Sequence, residues 1–145
     1  MIENYRKTVE DFKYEEADQE QIIEHTIDPM LLHVLMYNYN WDDGFEVPLK
    51  AIENPCCQLS TALMIFHMAD GVEYLLNKDE EEFDEWYLFV SRLYKDIMNN
   101  KFADGDILFD PDLSKVQMFK LKKVLEENEY VFIESRGKTD LNYDY

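Results

Sequence analysis

Apolar residues recur at helical spacing along most of this chain, and three Asx-Pro steps break the pattern, at residues 28–29, 54–55 and 110–111. Apolar side chains three and four positions apart share one face of an α-helix, whereas a half-buried strand needs strict alternation. Ile2, Tyr5, Val9 and Phe12 fit one face of a first helix. Asp28-Pro29 reads as a helix start: Asp accepts a bond from a first-turn N–H, and Pro at the first position sacrifices none. Leu31, Leu32, Leu35, Met36 and Tyr39 then form a stripe. Residues 38–44, NYNWDDG, read as a polar turn with aromatics inserted. A short helix is predicted over Val47 to Glu53, and Asn54-Pro55 either starts the next helix or makes the turn leading into it. Ser60 to Met68 is apolar enough to be the most buried helix, ended by Asp70-Gly71. Phe83, Trp86, Tyr87, Val90, Tyr94 and Ile97 mark a long amphipathic helix over residues 80–99. A loop follows over 102–112, and Ser114 caps a last helix running to Asn128. Tyr130 to Ile133 has β-propensity but no partner strand, which predicts a packed extended segment.

These elements predict an all-α, single compact helical domain over residues 1–137, with a short extended segment near its C-terminus. The polar, Tyr-rich residues 138–145 read as a mobile tail. The first two Asx-Pro steps lie 26 residues apart, and each precedes a short apolar helix. That spacing admits stacked helical hairpins, as in solenoids, and an irregular helical domain equally.

Charge narrows the function classes. The 145 residues carry 14 Lys+Arg against 32 Asp+Glu, a formal net of −18. Residues 1–91 hold 21 acids and 5 bases, whereas residues 92–145 hold 11 and 9, so the excess sits in the first two thirds. Such a surface does not neutralise phosphates, which excludes nucleic acid as the direct partner and argues against an anionic membrane. The opening MIENYRKTVEDF lacks an apolar signal core, and the longest apolar runs, such as Ala62 to Phe66, fall far short of the ~20 residues that span a bilayer. Cys56 and Cys57 are adjacent and form no disulfide framework. A cytoplasmic setting is expected.

The search for an active site is negative. His25, His33 and His67 belong to no zinc signature, and no Glu stands three residues before any of them, as di-iron bundles require. His67 reads as a packed core histidine. Gly44, Gly71, Gly105 and Gly137 form no phosphate-binding loop. Counted from Asp104, an EF-hand would need Gly and Glu where Phe109 and Lys115 stand, so Asp104, Asp106, Asp110 and Asp112 do not make one. Cys56 or Cys57 with His67 has no third group to support a nucleophile–base pair, and no spacing singles out a pair of carboxylates. No catalytic residue, metal or cofactor is expected.

Residues 38–71, NYNWDDGFEVPLKAIENPCCQLSTALMIFHMADG, resemble a family of small uncharacterised bacterial domains. The shared core is a helix, an aromatic-Asn-Trp-Asp-Asp-Gly turn, an apolar segment, Asn-Pro-x-Cys and a Thr-Ala-Leu helix. FADGDILFDPDLSKVQMFKLKK, residues 102–123, is similar to the second half of the same family, so the likeness runs over residues 31–125. Some members look like immunity proteins whose genes sit beside toxin modules, including those of contact-dependent growth inhibition. The resemblance implies a mainly helical fold, no catalytic residues and, for those members, a toxin partner.

Taken with the acidic excess, this implies an immunity protein that neutralises a cognate toxin, expected to be a basic nuclease domain, by acidic surface complementarity. The alternative is a general helical adaptor with no toxin partner. Three patches are expected to meet the partner. The first is Asp79, Glu80, Glu81, Glu82, Asp84 and Glu85, which also suits a solvated helix start. The second is Trp41, Asp42 and Asp43, which also suits a tight turn pinned by a buried ring. The third is Tyr143, Asp144 and Tyr145 in the tail.

Overall fold

The computed structural model describes residues 3–14 and 16–145, with Glu3 and Asn4 described by backbone only. Ile2, expected on the face of the first helix, lies outside the described residues. Among them the chain is all-α: α1 (Glu3–Phe12), α2 (Gln19–His25), α3 (Pro29–Tyr37), α4 (Glu46–Glu53), α5 (Leu59–Met68), α6 (Gly71–Leu76), α7 (Glu85–Met98) and α8 (Lys115–Val124). Two 3-10 segments, Trp41–Asp43 and Glu127–Phe132, complete the set. Extended pairing is limited to isolated bridges.

The centre is α5. Every residue from Ser60 to Phe66 is buried, so this helix has no solvent face. α3 and α7 pack on it, α6 follows it and packs on both α7 and α8, and α2 packs on α4. One contiguous core results, and it includes Phe12, Leu32, Leu35, Ile52, Leu63, Leu93 and Phe132.

Local chemistry explains most boundaries. Asp28 caps α3 by accepting from Met30 N–H at 3.0 Å, with Pro29 in the first turn. Ser114 and Gln117 form a reciprocal capping box on α8. Asn54-Pro55, by contrast, starts no helix: Asn54 closes α4 as its C-cap, its N–H bonding to Ala51 O, and a turn then leads to α5. The buried Asn54 amide donates to the carbonyls of Ile23 and Thr26 at 2.8 Å each, and its oxygen accepts from Cys56 N–H at 2.9 Å. That side chain satisfies the frayed end of α2 and the entry to α5 together. At Asp70-Gly71 the chain turns and does not stop: Asp70 takes a left-handed φ of 60° and α6 starts at once. Gly71 is required there, because a Cβ would come within 2.2 Å of the Phe66 ring.

The chain after α6 departs from expectation in three ways. α7 starts at Glu85, so Asp79 to Glu82 lie in the connection before it. Tyr130 to Ile133 does not extend; Glu127–Phe132 coils as a 3-10 segment, because Glu126 and Glu129 bond reciprocally at its start. Extended pairing appears further on, where Arg136 bridges Phe109 and Thr139 bridges Ile107. The expected mobile tail packs against the body: Leu141 is buried, and Asn38 donates to Tyr143 O and accepts from Tyr145 N–H, both at 2.7 Å. The acids once read against a calcium loop hold this segment too, Asp104 through Arg136 at 2.8 Å and Asp106 through Thr139 at 3.0 Å.

One buried charge ties the connection after α6, α7 and the 3-10 segment. The Glu129 carboxylate accepts from Lys78, from Tyr94 Oη at 2.5 Å and from Glu126 N–H at 3.0 Å. Burial alone would raise its pKa; these donors outweigh that and hold it below the usual carboxylate value.

Two substitutions test this packing. Gly71→Ala is expected to cost about 1–3 kcal/mol, as overpacked cores do, read as a lower denaturation midpoint at unchanged slope. Asn38→Ala is expected to release the tail, read as faster amide exchange at Tyr143 and Tyr145 with little change in α5.

Candidate functional site

The start of α7 separates two hollows. The first is a cleft of about 370 Å³ between α6, the 77–84 connection and the first turn of α7, lined by Asp70, Glu73, Tyr74, Asn77, Glu80, Glu82, Trp86 and Tyr87. Each part is positioned by local bonds. Asp84 caps α7 by accepting from Tyr87 N–H at 2.8 Å, which fixes where the helix begins. Trp86 then points its Nε1–H at Ala69 O, 2.7 Å away, so its ring is held against the α5–α6 corner. Tyr74 lies with its ring centroid 5.9 Å from that of Tyr87 and 5.3 Å from that of Tyr94. Burial, then the neighbouring Tyr87 and Glu129, raise the Tyr74 pKa, so it is a neutral phenol at pH 7.

Four carboxylates, Asp70, Glu73, Glu80 and Glu82, thus border a cleft with an aromatic floor, and no cation lines it. Among the described residues none of the four takes part in an ion pair. A lysine or arginine from outside would meet both negative charge and aromatic faces there, and the latter add about 0.5–2 kcal/mol to cation binding.

The second hollow, on the other side of α7, measures about 330 Å³ and is lined mainly by Phe45, Leu49, Leu88 and Phe89, with Glu46, Glu85 and Arg92 at its edge. The turn residues lead into it. Tyr39, Trp41, Phe45 and Phe89 form a chain of rings at centroid distances of 5.4, 6.4 and 5.2 Å. Tyr39 Oη donates to Gly44 O at 2.7 Å, and Gly44 adopts a φ of 95° that only glycine takes without strain.

The expected partner residues therefore divide. Glu80 and Glu82 reach the cleft, Glu85 reaches the groove, Asp79 and Glu81 are exposed beside them, and Asp84 serves as the α7 cap. Trp41 is half-buried in the ring chain, with its Nε1–H unpartnered among the described residues. Asp42 and Asp43 are exposed, and Asp43 faces a different hollow beside Lys13, Tyr14 and Asn38. Tyr143 and Tyr145 are half-buried and stack on each other at 6.4 Å; Arg6 sits 5.2 Å from the Tyr145 ring, and only Asp144 is exposed. The tail tyrosines are thus engaged with the body. Asp70, Glu73, Tyr74 and Asn77 were missed by the sequence reading, because recognising them needs α6, a helix too short to show a period.

His67, Cys56 and Cys57 are held structurally. His67 Nε2–H donates to Phe132 O at 2.6 Å, and burial holds its pKa below the usual value. Cys57 is buried and its thiol pKa is pushed up by burial; burial also raises that of Cys56, which donates to Thr26 O at 3.5 Å. Among the described residues no three His, Cys, Asp or Glu side chains converge as metal ligands, and no helix is long and apolar enough to cross a membrane.

Comparison with known proteins adds one likeness. Residues 27–98, just under half of the chain, match the model of a domain of unknown function, DUF4274. The matched segment contains every residue lining the cleft and the groove, whereas α1, α2, α8 and the tail lie outside it. No curated protein and no solved structure matches the chain.

His33 gives a pH signature. It is buried to 1% exposure, with Nδ1 2.9 Å from Thr61 Oγ1. Burial pulls its pKa down to about 4, against weaker upward pulls from the nearby Asn142 side chain and the Asp140 charge. The unfolded chain, with an ordinary His near 6.5, therefore binds more protons between those two values. Stability is fully present above pH ~6.5 and is lost as pH falls toward ~4, by about 3 kcal/mol in total from this group. His33→Gln is expected to flatten the slope of unfolding free energy between pH 6.5 and 5, measured by denaturant titration.

Proposed function

We propose that this protein is an immunity protein that binds and neutralises a cognate toxin, a basic nuclease domain, through its acidic surface. The observation that carries the reading is the cleft beside α7, where four carboxylates, in no ion pair among the described residues, border an aromatic floor. A nuclease must attract phosphate, so its active face is cationic; its lysines and arginines are the complement of this cleft. Opposite fields steer association toward ~10⁸–10⁹ M⁻¹s⁻¹ at low salt, which suits an inhibitor that must act before any cutting. The aromatic floor supplies the desolvated anchor that charge alone does not. The likeness of residues 38–71 to immunity-associated domains supports the same partner class. The action is stoichiometric, in the cytoplasm, with no catalytic residue of this chain.

A helical adaptor without a toxin is the second reading, favoured by the apolar α4–α7 groove, which fits the apolar face of a partner helix. The two readings separate on gene neighbourhood and on salt. Mixing or co-expressing the chain with the product of the adjacent gene is expected to give a complex and to rescue cells from that product. Glu80→Lys combined with Glu82→Lys is expected to lower the association rate by about 10–100-fold at low salt and to flatten its salt dependence. Absence of both complex and rescue would remove the immunity reading.

A further inference from the structure

Helix α8 reverses the charge of the rest of the molecule. Its ten residues, KVQMFKLKKV, include Lys115, Lys120, Lys122 and Lys123 and no acid. Among the described residues none of these four lysines is in an ion pair; Lys123 instead lies over the Phe119 ring, 4.4 Å from its centroid. The helix is also apolar on two sides. Leu121 is buried and Met118 half-buried on the inner side. Val116, Phe119 and Val124 stay 63%, 62% and 50% exposed. At 100° per residue, Val116, Phe119, Lys120, Lys123 and Val124 share one outward face. Exposed apolar side chains gathered on one face in this way are free to be covered by a partner.

The same chain presents the complement. Phe83 is 76% exposed, set among the acids of residues 79–85, and Leu88 is 55% exposed one turn further along, beside Glu85 on the flank of α7 that faces α4. Both patches border α6: α8 packs against that helix, and the acidic connection leaves its C-terminal end. Each patch thus joins exposed apolar side chains to charge of one sign, and the signs are opposite.

We propose that the occupant of the α8 face is a second copy of this chain, whose 79–88 segment it covers, in a two-fold dimer where each copy gives α8 and receives one. Residue i meets j and j meets i in such an interface, so two unlike patches satisfy each other and no edge is left open for further growth. The net charge of −18 does not forbid it. At about 0.15 M salt the screening length is roughly 8 Å, so distant like charges fade while lysines in contact with carboxylates still attract. The dimer stands apart from the toxin reading, since it needs no toxin; it covers part of the surface a basic target would use.

Sedimentation velocity at submillimolar protein tests it. The unmodified chain is expected to be dimeric at about 0.1 M salt and to dissociate more readily at about 0.5 M, where attraction between the exposed charges is weakened. A triple variant, Lys120→Glu, Lys122→Glu and Lys123→Glu, is expected to be monomeric. So is a second triple variant, Glu80→Lys, Glu81→Lys and Glu82→Lys. Mixed in equal amounts, the two variants are expected to form a heterodimer, because each reversed patch again faces its opposite; recovery also shows that both are folded. An unmodified chain that stays monomeric at both salts overturns the proposal. So does a dimer that survives either reversal, or a mixture that stays monomeric.

Discussion

A helix with no polar face is stable only when other elements cover it on every side, and α5 imposes that condition on the whole molecule. Its buried run from Ser60 to Phe66 obliges α3 and α7 to pack on it and brings the 3-10 segment through Phe132 onto Phe66, 4.7 Å between ring centroids. Even its polar side chains are drawn in, with Thr61 against His33 and His67 against Phe132 O. Because α5 uses the inner faces of its neighbours, only their outer faces are left for partners. The cleft carboxylates lie beside them, at the start of α6, on α6 and in the connection that leads into α7.

The placement of α7 shows how packing becomes a surface. Phe89, Val90, Leu93 and Ile97 commit one side of that helix to the core. Trp86 and Tyr87 are thereby turned toward α6, and Leu88 toward α4. A single apolar stripe therefore creates an acidic aromatic cleft on one flank and an apolar groove on the other. Both sit within the stretch matched by the DUF4274 model.

Legibility in the sequence followed the range of the interactions. Asp28-Pro29 and Ser114 act on N–H groups two or three residues away, and both were readable as caps. The burial of residues 60–66 was readable because it needs only their composition. Asn54-Pro55 was readable as a turn, but the grip of the Asn54 amide on Ile23 and Thr26 was not, since these partners lie 31 and 28 residues back. Tyr130 to Ile133 has strand-like side chains, but with no strand to pair, the Glu126–Glu129 box decides its shape. The acidic run was visible as a candidate patch, yet its cleft was not, because Asp70 and Glu73 join it across a connection. The tail looked mobile because its anchors are main-chain atoms meeting Asn38, which composition does not reveal.

Those anchors bear on the order in which the chain organises itself. Asn38 grips atoms 105 and 107 positions downstream, whereas α5, α6 and α7 assemble within a stretch of about 40 residues. Closing a longer loop costs more entropy and comes later when a polypeptide emerges from its N-terminus. A nascent chain therefore has the residues of its acidic cleft on hand while the partners of the Asn38 clasp at the end of α3 are still being synthesised.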